Sequence, residues 1–253
     1  MSHLSDRGHI DWNLLEIFSG GYFGFGRYGA PVWLIGPGDD VLGRKMPDIS
    51  LRLLGWHRRG QREMDDLADF YLATGSCKWL GKNAQVHRSW GRLCRFFLAL
   101  RNEPLSDEAV RQFQGERFGR RDEDLCLIHL LAANPTTKPW PFQGSTSSFL
   151  TSTDAYVERY VAQREGHVAI RMQRHRPELV VFYDLTHRRV WEELAGRSFH
   201  RTALPSCFEA SGNGSRFLML RHPESVGTTN DYFREAGLRA AEMMRKKRSH
   251  TLG

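Results

Sequence analysis

Apolar and polar positions divide the chain into short runs with two different periods. Val32-Trp33-Leu34-Ile35 is apolar without interruption, and is bounded by Pro31 and by the breaker run Gly36-Pro37-Gly38. Such a run predicts a strand buried on both faces. Residues 125–133 form a second apolar run that stops at Asn134-Pro135, as a buried parallel strand does. Residues 179–183 and 217–220 predict a third and a fourth strand, the last running into Arg221-His222-Pro223. Between these runs the period lengthens. Over residues 87–101, Trp90, Leu93, Cys94, Phe97 and Leu98 share one helical face. Asp154 stands where it would cap a helix carrying Tyr156, Val157, Tyr160 and Val161, which Arg176-Pro177 closes. Thr186 stands where it would cap a short helix through Val190, Trp191 and Leu194, ended by Gly196. A final helix from about Asp231 carries Phe233, Ala240, Ala241 and Met244.

The order β, α, β, α, β, α, β, α predicts an α/β fold, a three-layer αβα sandwich with a mostly parallel central sheet. Parallel strands need crossovers, and the crossovers cover the sheet. One domain over 1–253 is expected, with a loop-rich extension over about 1–30, loop decoration over 203–215 and a basic tail over about 245–253. Composition narrows the class. Hydrophobic residues make up 40% and charged residues 26% of the 253, which excludes disordered and collagen-like chains. No apolar run reaches the roughly 20 residues of a membrane span, and the first residues lack the order of a signal peptide. A soluble, cytoplasmic protein with no membrane contact and no obligate protein partner is expected.

Charge points to a partner: 36 Lys and Arg against 29 Asp and Glu leave +7, which suits a polyanion. Cys77, Cys94, Cys126 and Cys207 are scattered, with no C-x-x-C pair, and read as free thiols. In open α/β sheets ligands bind beyond the carboxyl ends of the strands. The residues there are Gly38, Asp39 and Asp40 after the first strand, Asn134 after the second, Asp184 after the third and His222 after the fourth. Acidic groups converging with a histidine suit acid–base or charge-stabilising work. Gly24-Phe25-Gly26-Arg27-Tyr28-Gly29 matches the dinucleotide glycine pattern, but it leads into a strand instead of following one. Its aromatics, with Tyr22 and Phe23, either stack on bases or fold back over the core.

These strand ends resemble, in order, the motifs of the uracil-DNA glycosylase superfamily. Val32-Trp33-Leu34-Ile35 with Gly36-Pro37-Gly38-Asp39-Asp40 is similar to the motif that holds the water-activating residue. Residues 127–135 with Lys138-Pro139 resemble the base-reading segment, and Arg176-Pro177-Glu178-Leu179-Val180-Val181 the strand after a long helix. Phe217-Leu218-Met219-Leu220-Arg221-His222-Pro223-Glu224-Ser225 resembles the strand that ends in the leaving-group histidine and the DNA-intercalating loop. The resemblance implies a monofunctional DNA glycosylase that acts on a flipped-out base without a cofactor. Asp40, or else Asp39, would be the catalytic carboxylate that orients water, with His222 as the leaving-group residue. Gly36, Pro37, Gly38, His129, Asn134 and Asp184 would line the substrate. Arg221, Ser225, Val226, Gly227 and Thr228 would hold the DNA. With the first cysteine at Cys77, no iron–sulfur cluster is expected. His129 stands where the family has an asparagine that reads uracil. A neutral imidazole has one donor and one acceptor on separate edges and does not repeat that paired contact. The expected base is therefore a modified pyrimidine, such as the hydroxymethylated or glucosylated cytosine of phage DNA, in a defence role. Uracil repair, a non-catalytic nucleic-acid binder and an α/β hydrolase acting on nucleosides are the alternatives.

Overall fold

In the computed structural model the apolar runs become the centre of one sheet. Residues 10–38, 46–133, 140–142, 145 and 147–250 are described, with backbone alone for 46, 47, 148 and 246–250. The strands are β1 (Gly24–Phe25), β2 (Val32–Gly38), β3 (Met64–Asp65), β4 (Leu125–Leu131), β5 (Leu179–Tyr183), β6 (His200–Arg201), β7 (Phe208–Gly212) and β8 (Ser215–Leu220). They pair in the order β3-β1-β4-β2-β5-β8-β7-β6. The four central strands, β4-β2-β5-β8, are parallel, while β1–β4, β6–β7 and β7–β8 are antiparallel. Helices α1 (Trp12–Gly21), α2 (Met46–Arg58), α3 (Leu67–Ala73), α4 (Arg88–Leu100), α5 (Asp107–Glu116), α6 (Thr153–His175), α7 (Arg188–Ala195) and α8 (Asn230–His250) cover its faces. The three-layer αβα arrangement expected from the element order is present.

Under each continuous apolar run lies a period of two that feeds two cores. Leu34, Leu127, Val181 and Leu218 face α1–α5 and α8, whereas Trp33, Ile128, Phe182 and Phe217 face α7 and the second half of α6. On the second side Phe182 stacks on Trp191 at 5.1 Å between ring centroids. The two faces are joined by Arg164 of α6, which is wholly buried. Its guanidinium donates to Leu130 O at 2.6 Å, Ser19 O at 2.8 Å, Tyr22 O at 2.6 Å and His129 O at 2.9 Å, and lies 3.9 Å from the centroid of Phe23. Burial pulls it down to about 10, still charged at neutral pH. Four carbonyls and a ring face thus stand where a carboxylate usually would.

Several expectations change. Residues 10–30 are not loop decoration: α1 packs into the core and β1 bridges β3 to β4, while residues 1–9 lie outside the described residues. Gly24, at φ +146°, lets β1 approach so closely that a Cβ there would sit 2.0 Å from Leu127 O. Tyr22, Phe23 and Phe25 are buried, so the aromatics of the glycine-rich stretch are core and not a stacking platform. Residues 203–215 contain β7, and the basic tail over 245–250 continues α8. Ser152 caps α6 by accepting from Ala155 N, with Asp154 inside the first turn. Thr186 lies in the turn Leu185–His187, whose cap is Asp184, and α7 starts at Arg188. Gly196 ends α7 in the left-handed conformation, as expected. The four cysteines are free thiols, with Cys77 alone exposed.

The breaker run is also strand. β2 continues through Gly38, with Gly36 opposite His129 and Gly38 opposite Leu131 on β4. Its pairing with β5 stops at Ile35, so Pro37, which has no N–H, lies beyond that ladder. Among the described residues no helix is long and apolar enough to cross a membrane.

Candidate functional site

Chain order and strand order together define a crevice. From β2 the chain crosses to β4 on one side, and from β5 it crosses to β8 on the other, so the order reverses between β2 and β5. Ligands of doubly wound sheets bind outside the carboxyl ends at such a point. Gly38 closes β2, Tyr183 closes β5 and Leu220 closes β8. With strands about 4.8 Å apart, the β2 and β8 ends are about 10 Å apart with β5 between them.

Tyr183 fills part of that interval. A Cβ on Gly36 would fall 2.1 Å from Tyr183 Cζ, so the hydroxyl end of the ring lies against β2 where only glycine leaves room. On its other side the ring is 5.9 Å, centroid to centroid, from His222. Tyr183 thus links the two strand ends, although periodicity alone reads it as one more apolar strand residue.

His222 is half-buried at the start of the β8–α8 loop. The Glu224 N–H donates to its Nδ1 at 3.1 Å, so in the neutral imidazole the proton resides on Nε2. The loop is braced throughout. Ser225 N donates to His222 O at 3.0 Å and Thr228 N to Ser225 O at 3.1 Å. Arg221 N donates to Tyr232 Oη, which donates in turn to Ser206 O at 2.7 Å. From α4, Ser89 Oγ donates to Glu224 Oε1 at 2.6 Å and Arg92 donates to Pro223 O. Held in this way, the loop presents Val226 at 98% exposure beside exposed Gly227 and half-buried Ser225 and Arg221. Thr228 departs from expectation. It is 5% exposed and turned inward, so its hydroxyl is not on the loop surface.

Asp184 follows Tyr183 at φ +94°, a conformation that costs a non-glycine residue about 1–3 kcal/mol. It is held there by Asp184 N donating to Leu220 O at 3.0 Å and by Trp191 Nε1 donating to Asp184 O at 2.8 Å. Burial works to raise its carboxyl. Bonds from His187 and from the Thr186 hydroxyl and N–H, the latter two at 2.7 and 3.0 Å, outweigh it and hold the group at about 2. Its charge is spent on the β5–α7 turn. His129 is 3% exposed on the inner face of β4, edge-on to Phe25 at 6.1 Å, opposite Gly36. The fold therefore brings Gly36, Pro37, Gly38, Asp184, Arg221 and His222 to neighbouring strand ends, with His129 beneath them. Asp39, Asp40 and Asn134 lie outside the described residues.

Two other features compete with this crevice. A cavity of about 520 Å3 opens at the opposite, amino end of β5 and β8, lined by Gln173, Arg176, Asn213 and Ser215 among others. On the outer face of α6, Glu63 accepts from Tyr28, His167 and Arg171. Neither adjoins the carboxyl ends. No group of three or more His, Cys, Asp or Glu among the described residues is placed to hold a metal ion. Sequence reading missed Tyr183, Ser89 and Arg92. The polar face of residues 87–101 carried the signal for Arg92, because it sets Arg88, Arg92 and Arg95 on one stripe, whereas Ser89 lies off that stripe and is buried. Compared with family models, curated proteins and solved structures, the chain matches none.

Proposed function

We propose that the chain is a DNA glycosylase, a divergent relative of the uracil-DNA glycosylase superfamily that it resembles. It hydrolyses the N-glycosidic bond of a base turned out of the duplex and leaves an abasic site. The observation that carries this reading is His222. Glu224 N–H occupies its Nδ1, which leaves Nε2–H as the donor, at a strand end that Tyr183 links to β2. Cleavage of the bond builds positive charge on the sugar and negative charge on the departing base. A fixed N–H aimed at the base oxygen stabilises the second charge. Asp40 or Asp39, which follow Gly38 directly in the chain, orient water and stabilise the first. Water then supplies hydroxyl to the sugar carbon, and the base departs with the bonding pair and gains a proton.

The base is a modified pyrimidine, most simply a 5-substituted cytosine of invading phage DNA, and the protein works in the cytoplasm where such DNA arrives. This finer reading rests on histidine at position 129, since a site built around other partners rejects uracil strongly when buried polar groups are left unmatched. Base release from duplexes carrying uracil, hydroxymethylcytosine or its glucosylated form, followed by mass spectrometry and alkaline cleavage, tests it. Release from the modified cytosines is expected. Release of uracil alone makes the chain a repair enzyme. Tight binding with no release from any duplex makes it a binder without chemistry.

A further inference from the structure

We infer that the exposed face of α4 grips the phosphodiester backbone of duplex DNA beside the β8–α8 loop, through Arg88 and Arg92. The inference rests on the glycosylase reading and names a surface which that reading requires and which strand-end reasoning does not supply. Arg88, Arg92 and Arg95 are spaced by four and three residues, so they fall within about 60° of one another on the helix. The opposite face, with Leu93, Cys94, Phe96 and Phe97, is buried.

The three guanidiniums differ in what they already hold. Arg95 is paired with Asp107. Arg92 spends its hydrogen bond on the neutral carbonyl of Pro223, and Arg88 has no carboxylate partner among the described residues. Across the loop, Arg221 brings a guanidinium nitrogen to 3.7 Å from where a Cβ on Gly227 would stand. Glu224 is the nearby carboxylate, and it takes the Ser89 hydroxyl. Burial, together with the charges of Arg88 and Arg95, holds the Arg92 guanidinium below its ordinary value. Like charges gathered in this way favour an anion that neutralises them.

A polymer fits better than a small anion. Residues four apart are separated by about 6 Å along the helix. One DNA strand carries a phosphate about every 3.4 Å of duplex axis, so both side chains reach phosphates of the same strand. Arginine forks suit phosphate oxygens. The direct link from Arg92 to Pro223 sets this grip next to Val226, so that holding the backbone and presenting the loop are one act.

The test is the salt dependence of binding to a short unmodified duplex, followed by fluorescence anisotropy for the parent, R88A/R92A, R95A and R92K. Each phosphate contact contributes about 0.9 to the log–log slope, so R88A/R92A is expected to bind more weakly with a slope shallower by about 1.8. R92K retains the charge and keeps most of the slope, and R95A behaves as the parent. Melting curves of each variant identify loss of fold, and R88E/R92K, which disturbs the loop contact least, then supplies the comparison. A parent that binds duplex and releases base, beside an R88A/R92A variant with the parent's slope, overturns this inference and leaves the glycosylase reading intact. A parent that binds no duplex overturns both.

Discussion

The molecule contains two clusters of titratable side chains that look equally promising on residue type, and they differ in how their polar atoms are spent. In the Glu63 cluster everything is consumed internally. Glu63 takes the Tyr28 hydroxyl, His167 Nε2 and both nitrogens offered by Arg171, at 2.9 and 3.2 Å. Burial raises Tyr28, with Glu63 adding to it, and the three donors outweigh burial to lower Glu63. Phe23 stacks on His167 at 4.2 Å and His175 on Tyr28 at 5.6 Å. In the β8–α8 loop the backbone is braced instead, while His222 Nε2 and the guanidiniums of Arg88 and Arg221 meet no protein acceptor among the described residues. A cluster that satisfies itself ties segments together, whereas one whose scaffold is satisfied and whose side chains remain available is fit to meet something else.

The largest expected effect follows from that contrast. His222→Ala removes an aimed donor and should slow base release about a hundredfold or more, with the melting temperature unchanged. Parental rates in this variant, on a duplex the parent cleaves, would return His222 to the status of a loop residue.

Glu63→Gln should behave in the opposite way. It keeps the shape but removes the charge that three donors share, and hydrogen bonds to charged groups contribute about 1.5–3 kcal/mol where well buried. Glu63 is 31% exposed, so a loss of about 1–2 kcal/mol by denaturant unfolding is expected. Its lowered carboxyl stabilises the fold above the ordinary glutamate range, and that contribution fades as pH falls. The rate of base release below the melting range should not move. If the rate collapses while stability holds, the roles of the two clusters have been assigned the wrong way round.

Asp184→Asn sharpens the comparison from within the site. Asparagine tolerates positive φ nearly as well, so the substitution isolates the charge. The folded carboxyl at about 2 lies below the unfolded value of about 3.9. Its contribution is therefore complete above about pH 4 and is lost as pH falls towards 2. The gap in melting temperature between parent and variant should be widest near neutrality and close over that interval. A gap independent of pH would mean that His187 and Thr186 do not hold an ionised Asp184.

The extent to which this was legible in the sequence follows from the length of each signal. The central strands β2, β4, β5 and β8 and the helices α4, α6 and α7 announce themselves through long runs or clean periods. β1, β3 and β6 span two residues each, too short for any period, and exist because neighbouring strands pair with them. Gly36-Pro37-Gly38 reads as a turn by local chemistry, yet pairing with β4 carries it on as strand, an instance of partners overriding propensity. His222 was legible because it follows the fourth apolar run directly, where ligands of parallel sheets bind, and because its strand-end segment resembles a known motif. Tyr183 was not, because its contacts with Gly36 and His222 come from β2 and from the β8–α8 loop. Arg92 and Ser89 were hidden by attention to the apolar face of α4, and their bonds to Pro223 and Glu224 span more than a hundred residues.

The smallest expected effect comes from that long-range brace. Ser89 is 8% exposed, and its hydroxyl donates at 2.6 Å to Glu224, the residue whose N–H fixes the His222 tautomer. Ser89→Ala deletes one charge-assisted bond to an exposed carboxylate, for about 0.5–1 kcal/mol, and leaves α4 otherwise intact. The loop then loses one of its two bonds from α4, with Arg92 on Pro223 O remaining. Base release should slow severalfold through looser placement of His222, while binding to unmodified duplex is nearly unchanged, since no phosphate-facing charge is lost. Ser89→Thr, which restores the hydroxyl, should recover most of the rate. If alanine and threonine prove equal, the Ser89 bond does not reach the imidazole, and the loop is held by its own turn, by Tyr232 and by Arg92 on Pro223.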